Sequence, residues 1–200
     1  MEIEKIFEVI ILVLFMIWLI KYHFKGPRIK KKRKNIYKIC IEKLQNRVKR
    51  PTHLYVPDAN IYERFHKCNT DELVLIALAH DILKHCGYKP AALYVKITQK
   101  NPNDNIAGQY SINRNTSIIE VRIHPHITEK EILAILIHEC MHFFLRCRAI
   151  TMLDTKENEY LTDITSVYMG FYKYMKKGYG RVGYLKPHEL AYVNKLINKM

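Results

Sequence analysis

The spacing of apolar residues changes along the chain, and each change marks an element. Ile36 to Arg50 carries apolar residues at 36, 39, 40, 41, 44 and 48, a helical stripe stopped by Pro51. Asn69-Thr70-Asp71-Glu72 offers capping chemistry ahead of LVLIALAHDILKHC, and Gly87 is placed to end that helix. The period then switches to two. AALYVKIT (91–98) reads as a strand followed by an NPND turn, and IAGQYSI (106–112) and TSIIEVRI (116–123) read as a hairpin across Asn113-Arg114-Asn115. Thr128-Glu129-Lys130-Glu131 spells a capping box that opens a helix running through Cys147. Thr155 to Lys177 reads as one further helix broken at Gly178, and Pro187 suits the first turn of a last one, PHELAYVNKLINK. Leu54 to Asn69 has no clear period, which leaves room there for a cover over a site. The pattern predicts an α+β domain with a small antiparallel or mixed sheet.

The front of the chain is different. Ile6 to Ile20 is apolar except for Glu8, and Trp18, Tyr22 and Phe24 follow, as at a headgroup boundary. With Glu4, Lys5 and Lys21 at the interfaces, the length from Ile3 to Phe24 suffices for a bilayer span, and no cleavable-signal pattern is present. The expected organisation is a transmembrane anchor over 1–24, a basic linker over 25–35 and a globular domain over 36–200. Net charge is +14, and residues 1–34 hold nine Lys/Arg against three Glu. The basic cluster Lys25 to Lys34 therefore predicts a single-pass protein with its body on the cytoplasmic side, the cluster facing anionic lipid rather than nucleic acid. Five cysteines without a CxxC pair read as reduced thiols, with Cys140 and Cys147 as small core residues.

Candidate chemistry lies in the helix ILAILIHECMHFFLRC. His138 and His142 are four apart, so both imidazoles share a face and can hold one zinc ion (Zn2+). Glu139 between them stands beside the metal without ligating it, where it can take a proton from water. Cys140 falls on another face. A catalytic zinc needs a third protein ligand, and NEYLTD (158–163) lies in the next predicted helix. If the two helices pack across a short turn, Glu159 reaches the metal, and Asp163 can accept a hydrogen bond from a ligating histidine. His124 and His126 at a strand end read as surface groups, and His80 and His85 are too poorly spaced to share a face.

HECMH followed by NEYLTD, 16 residues apart between His142 and Glu159, resembles the gluzincin clan of zinc metallopeptidases. That resemblance implies a zincin-like fold, in which a small sheet packs on the HExxH helix and a following helix carries the glutamate. It implies zinc held by His138, His142 and Glu159, Glu139 as general base and acid, and Asp163 supporting His138. It also implies a strand before the HExxH helix at the edge of the cleft, a place taken by TSIIEVRI, along which a peptide or protein substrate would lie extended. An N-terminal anchor before such a domain is similar to membrane-associated members related to the CAAX-processing proteases.

The expected activity is peptide-bond hydrolysis by a zinc-bound water that Glu139 activates. A second donor to the developing oxyanion is expected from Tyr168, Tyr172, Tyr174, Tyr179, Arg181, Tyr184 or His188, and periodicity does not choose among them. The alternatives are a catalytically inactive zinc-bound regulatory module, against which an intact Glu139 counts, and a basic protein that binds nucleic acid.

Overall fold

The computed structural model describes residues 10–17, 28–101, 106–113, 116–179 and 183–200. The chain divides into two units, Met1–Lys31 and Lys32–Met200, so the boundary falls inside the stretch expected as a linker. The second unit is a mixed α+β structure. Three helices come first, α1 (Lys31–Gln45), α2 (Ala59–Lys67) and α3 (Glu72–His85). Three strands follow, β1 (Leu93–Gln99), β2 (Gly108–Asn113) and β3 (Thr116–Ile123). Four more helices complete it: α4 (Glu129–Cys147), α5 (Thr155–Tyr168), α6 (Tyr172–Gly178) and α7 (Pro187–Ile197).

The transmembrane anchor is corrected. Among the described residues no helix is long and apolar enough to cross a membrane. Within 1–24 the described helical stretch covers residues 10–17, about 12 Å at ~1.5 Å per residue, against the ~30 Å of a bilayer's hydrocarbon core. The rest of the expected span lies outside the described residues. The single-pass assignment with a cytoplasmic catalytic domain loses its support with the anchor. The basic cluster also differs from a plain linker, because α1 begins at Lys31 and Arg33 is tied into the fold. Its guanidinium donates at 2.7 Å to Glu189 of α7, which also accepts from the Tyr37 hydroxyl at 2.9 Å. Burial alone would raise the Glu189 pKa, but the Lys186 amide, Arg33 and Tyr37 together hold it below its ordinary value.

The sheet has the order β1-β3-β2. β1 runs parallel to β3 with Leu93 opposite Ser117, and β2 runs antiparallel with Gly108 opposite Val121. The hairpin expectation holds, but β3, expected at the cleft edge, is central. Its alternation buries Ser117, Ile119 and Val121, as a period of two demands of a strand with one face on the core. The free edge beside the site belongs to β2.

α4 is the spine of the domain, packed against α3, α5, α6, β2 and β3. Everything from Glu131 to Met141 and from Phe143 to Leu145 is buried, which is why its sequence reads as a nearly unbroken apolar run. Truncating one of these residues, Leu136→Ala for instance, costs ~2–5 kcal/mol through lost burial and the cavity left behind. The capping box forms: Glu131 N–H donates to Thr128 Oγ1 at 3.3 Å, and Thr128 N–H to Glu131 Oε2 at 2.8 Å.

The helix expected over 155–177 is two helices. Gly170 takes φ +93°, its N–H donates to the Val167 carbonyl, and Phe171 N–H donates to the Ser166 carbonyl. This pair of bonds closes a helix with a left-handed residue, a conformation open to glycine. Gly87 (φ +73°) ends α3 the same way, as expected from its position. The stretch without a clear period contains α2, which Asp58 caps by accepting from Asn60 N–H and Ile61 N–H.

Candidate metal centre

Two helices consecutive in the chain bring the predicted ligands together. α4 ends at Cys147 with Arg148 as its C-cap, and α5 starts at Thr155 behind Asp154, which caps it by accepting from Glu157 N–H at 2.9 Å. Asn158 closes the connection, its Oδ1 accepting from Met152 N–H and from the Thr151 hydroxyl, each at 3.1 Å. Glu159 then faces α4. His138 Nε2 and His142 Nε2 stand 3.0 Å apart, and Glu159 Oε2 lies 3.1 Å from the first and 3.2 Å from the second. In a tetrahedral zinc shell with bonds of ~2.0–2.1 Å, neighbouring ligand atoms stand about 3.3–3.4 Å apart. The three atoms match that spacing to within a few tenths of an ångström.

The far nitrogens decide what the near ones offer. His138 Nδ1–H donates to Asp163 Oδ1 at 2.8 Å. The Thr162 hydroxyl donates to the Asn158 carbonyl at 3.0 Å, so its oxygen is left to accept from His142 Nδ1–H at 3.3 Å. Both Nδ1 atoms thus carry hydrogen, and both Nε2 lone pairs converge with a carboxylate oxygen on one point. Three converging lone pairs call for a cation. Without a metal that cation is a proton: burial would lower the His138 pKa, but hydrogen bonds to Asp163 and Glu159 raise it to about 10. Glu159 is held down to about 2, burial being outweighed by its bonds to His138 and His142. The group could hold a divalent metal ion.

Asp163 is fully buried and fixed from both sides. Its Oδ2 accepts from Leu185 N–H at 2.8 Å, and the Tyr179 hydroxyl lies 2.7 Å from His138 Nδ1. Burial, with the neighbouring Asp163 carboxylate, pushes the Tyr179 phenol well above its ordinary pKa.

Glu139 lies beside the triad without joining it. Its Oε2 is buried with no hydrogen-bond partner, while the carboxylate takes a backbone hydrogen bond from Tyr110 on β2. Burial raises its pKa, and His138 and His142 oppose the rise. A buried carboxylate oxygen without a partner is costly unless something else meets it. Glu139 also lines a cavity of about 580 Å³, together with Gly108, Gln109 and Tyr110 of β2, the three residues of the triad, and Tyr179 and Tyr184. The Tyr184 ring stacks on His138 at 5.9 Å, and burial followed by Glu159 raises its phenol to about 12.

Of the candidate oxyanion donors, Tyr179 and Tyr184 line the cavity and Tyr168, Tyr172, Tyr174 and His188 do not. The Tyr168 hydroxyl donates instead to the Val48 carbonyl at 3.2 Å, and Arg181 lies outside the described residues. His85 serves the fold, its Nε2 2.9 Å from the Met169 carbonyl, and Cys140 points away with Sγ 4.0 Å from the Ala79 carbonyl. Cys147, expected in the core, is exposed, and all five cysteines are free. No residue from 54 to 69 lines the cavity, so that segment is not its cover. Sequence reasoning missed Thr162 behind His142, the Leu185 amide behind Asp163, and β2 as the wall. Thr162 carried a signal, standing at i+3 from Glu159 on the same helix. No protein-family model, curated protein or solved structure matches the chain.

Proposed function

We propose that this chain is a zinc-dependent hydrolase of the gluzincin type that cleaves peptide bonds. One observation carries the reading: two imidazole lone pairs and one carboxylate, each oriented from behind, converge beside a buried glutamate oxygen that no protein group satisfies. His138, His142 and Glu159 would hold the ion. Zinc bound there supplies a Lewis acid that acidifies water and polarises a carbonyl.

The chain's own residues do the rest. Glu139 takes the proton from the attacking water, its raised pKa suiting a group that must accept and then release one. The same carboxyl returns that proton to the departing amine. Tyr184, half-exposed and protonated at neutral pH, is the donor in reach of negative charge developing in the cavity. Tyr179 is already engaged behind His138. Peptide is the substrate class that suits a cavity walled by a strand edge. Ala107 pairs with Arg122 through its carbonyl, so the antiparallel alternation turns the backbone groups of Gly108, Tyr110 and Ile112 away from β3. An extended chain can add to such an edge.

The test is metal content and hydrolysis measured together. Glu139→Gln keeps its zinc and loses at least about a hundredfold in kcat, while His138→Ala and Glu159→Ala lose the metal. Full zinc occupancy in the His138 or Glu159 variant refutes the ligand set, and undiminished hydrolysis in Glu139→Gln refutes the mechanism.

A further inference from the structure

A second cavity of about 370 Å³ adjoins the first and shares Tyr110 and His142 with it. Leu145, Ala149 and Ile150 give it apolar walls; Arg146, Thr151 and Asn158 give it polar groups. Thr151 and Asn158 are committed to each other and to the α4–α5 connection. Arg146 is not committed. Among the described residues no ion pair or hydrogen bond engages its guanidinium, and no carboxylate lines the cavity.

Its position follows from the helix. His138, His142 and Arg146 stand at i, i+4 and i+8 of α4, so the row that carries two ligands continues to a guanidinium. Two more cations back this wall from α1 and the turn after it: Lys43 Nζ donates to the Thr151 carbonyl, and Arg47 Nη1 to the Ala149 carbonyl at 3.2 Å. An arginine with open donors beside apolar walls is a receptor for a carboxylate, which it can bind through two parallel hydrogen bonds. One turn of helix beyond His142 is about 6 Å of rise, and an extended peptide covers ~3.3–3.6 Å per residue.

We infer that this cavity selects a carboxylate carried by the substrate one or two residues from the scissile bond. The carboxylate is an Asp or Glu side chain, or the substrate's own C-terminus. The inference rests on the peptidase reading above and adds a substrate class to it.

The experiment uses the zinc-loaded full chain and internally quenched peptides. Glu, Gln or Lys stands at each of the two positions on either side of the cleaved bond, with the C-terminus free or amidated. A carboxylate in the right position raises kcat/KM by about tenfold or more over its neutral counterpart. Arg146→Ala removes that preference while leaving cleavage of the neutral peptide within about twofold, and Arg146→Glu turns the preference toward Lys. Loss of cleavage on amidation assigns the C-terminal carboxylate; indifference to it, with a Glu preference, assigns the side chain. A parallel arm measures binding of the same peptides, fluorescently labelled, to zinc-loaded Glu139→Gln with and without Arg146→Ala, zinc content being checked in each.

Equal handling of charged and neutral peptides overturns the inference, as does a preference that survives Arg146→Ala. If the wild-type chain holds zinc and cleaves no peptide, the peptidase reading falls first. The binding arm then judges the subsite alone: acidic peptides must bind about tenfold more weakly once Arg146 is removed, and affinity indifferent to Arg146 overturns it.

Discussion

Gly108 has no side chain because Glu139 occupies the space one would need. A β-carbon there would meet Glu139 Oε1 at 2.6 Å and Ile135 Cγ2 at 2.7 Å, and Ile135 belongs to the spine of the fold. Gly108→Ala therefore displaces the carboxylate and not the ligands. The expected result is a fall in kcat of about tenfold to a hundredfold, with zinc content unchanged; a variant with wild-type kcat removes Gly108 from any positioning role. At this scale the sequence was informative where chemistry is local. His138, Glu139, His142, Glu159 and Asp163 share two short motifs whose helical spacing already puts them on common faces. Gly108 and Leu185 touch the site through tertiary approach, and nothing in their own neighbourhoods announces it.

Helix ends were legible when their residue type was committed and illegible when it was not. Gly87 and the Thr128 box mark their ends openly, whereas Gly170 stands in an otherwise helical pattern. Its role depends on a backbone approach, since a β-carbon there would lie 3.3 Å from Leu54 Cα. α4 closes like α3 and α5, with Ala149 N–H on the Arg146 carbonyl and Ile150 N–H on the Leu145 carbonyl, yet the left-handed residue is Ala149 at φ +50°. An L-residue there costs ~1–2 kcal/mol, of which glycine's extra freedom in the unfolded chain gives part back. Ala149→Gly is thus expected to stabilise the protein by about 0.5–1 kcal/mol, read as a higher denaturant midpoint at unchanged slope. A lower midpoint would show that the contacts of this methyl group outweigh its strain. Strand order was hidden for a related reason: alternation tells which face of β3 is buried but not which strands flank it.

Zinc at the proposed centre would tie the stability of the second unit to pH. Zinc held at that centre, at a free concentration a thousandfold above its Kd, would add ~4 kcal/mol, or roughly 10 °C in Tm for a domain of this size. Chelation should remove that increment. His138 sets its pH dependence. With its pKa raised to about 10 from the ordinary histidine value of 6.5, the protonated ring stabilises the metal-free fold fully below pH ~6.5, and this support is lost as pH rises toward 10. Zinc needs the neutral ring, so the gap in Tm between loaded and chelated protein should widen from pH 6.5 to pH 8.5; a gap that narrows over that range contradicts the assignment of His138. The front of the chain was the poorest guide at this scale, because hydropathy over 1–24 suggested a span that the described helix is too short to make. A final consequence concerns Asp163, whose orientation depends on the Leu185 amide, 22 positions further along. A nascent chain exposes both imidazoles and Glu159 well before that amide emerges from the ribosome. Any ion bound during synthesis would therefore meet a loosely oriented ligand set, which is fully oriented only once the Leu185 amide has reached Asp163.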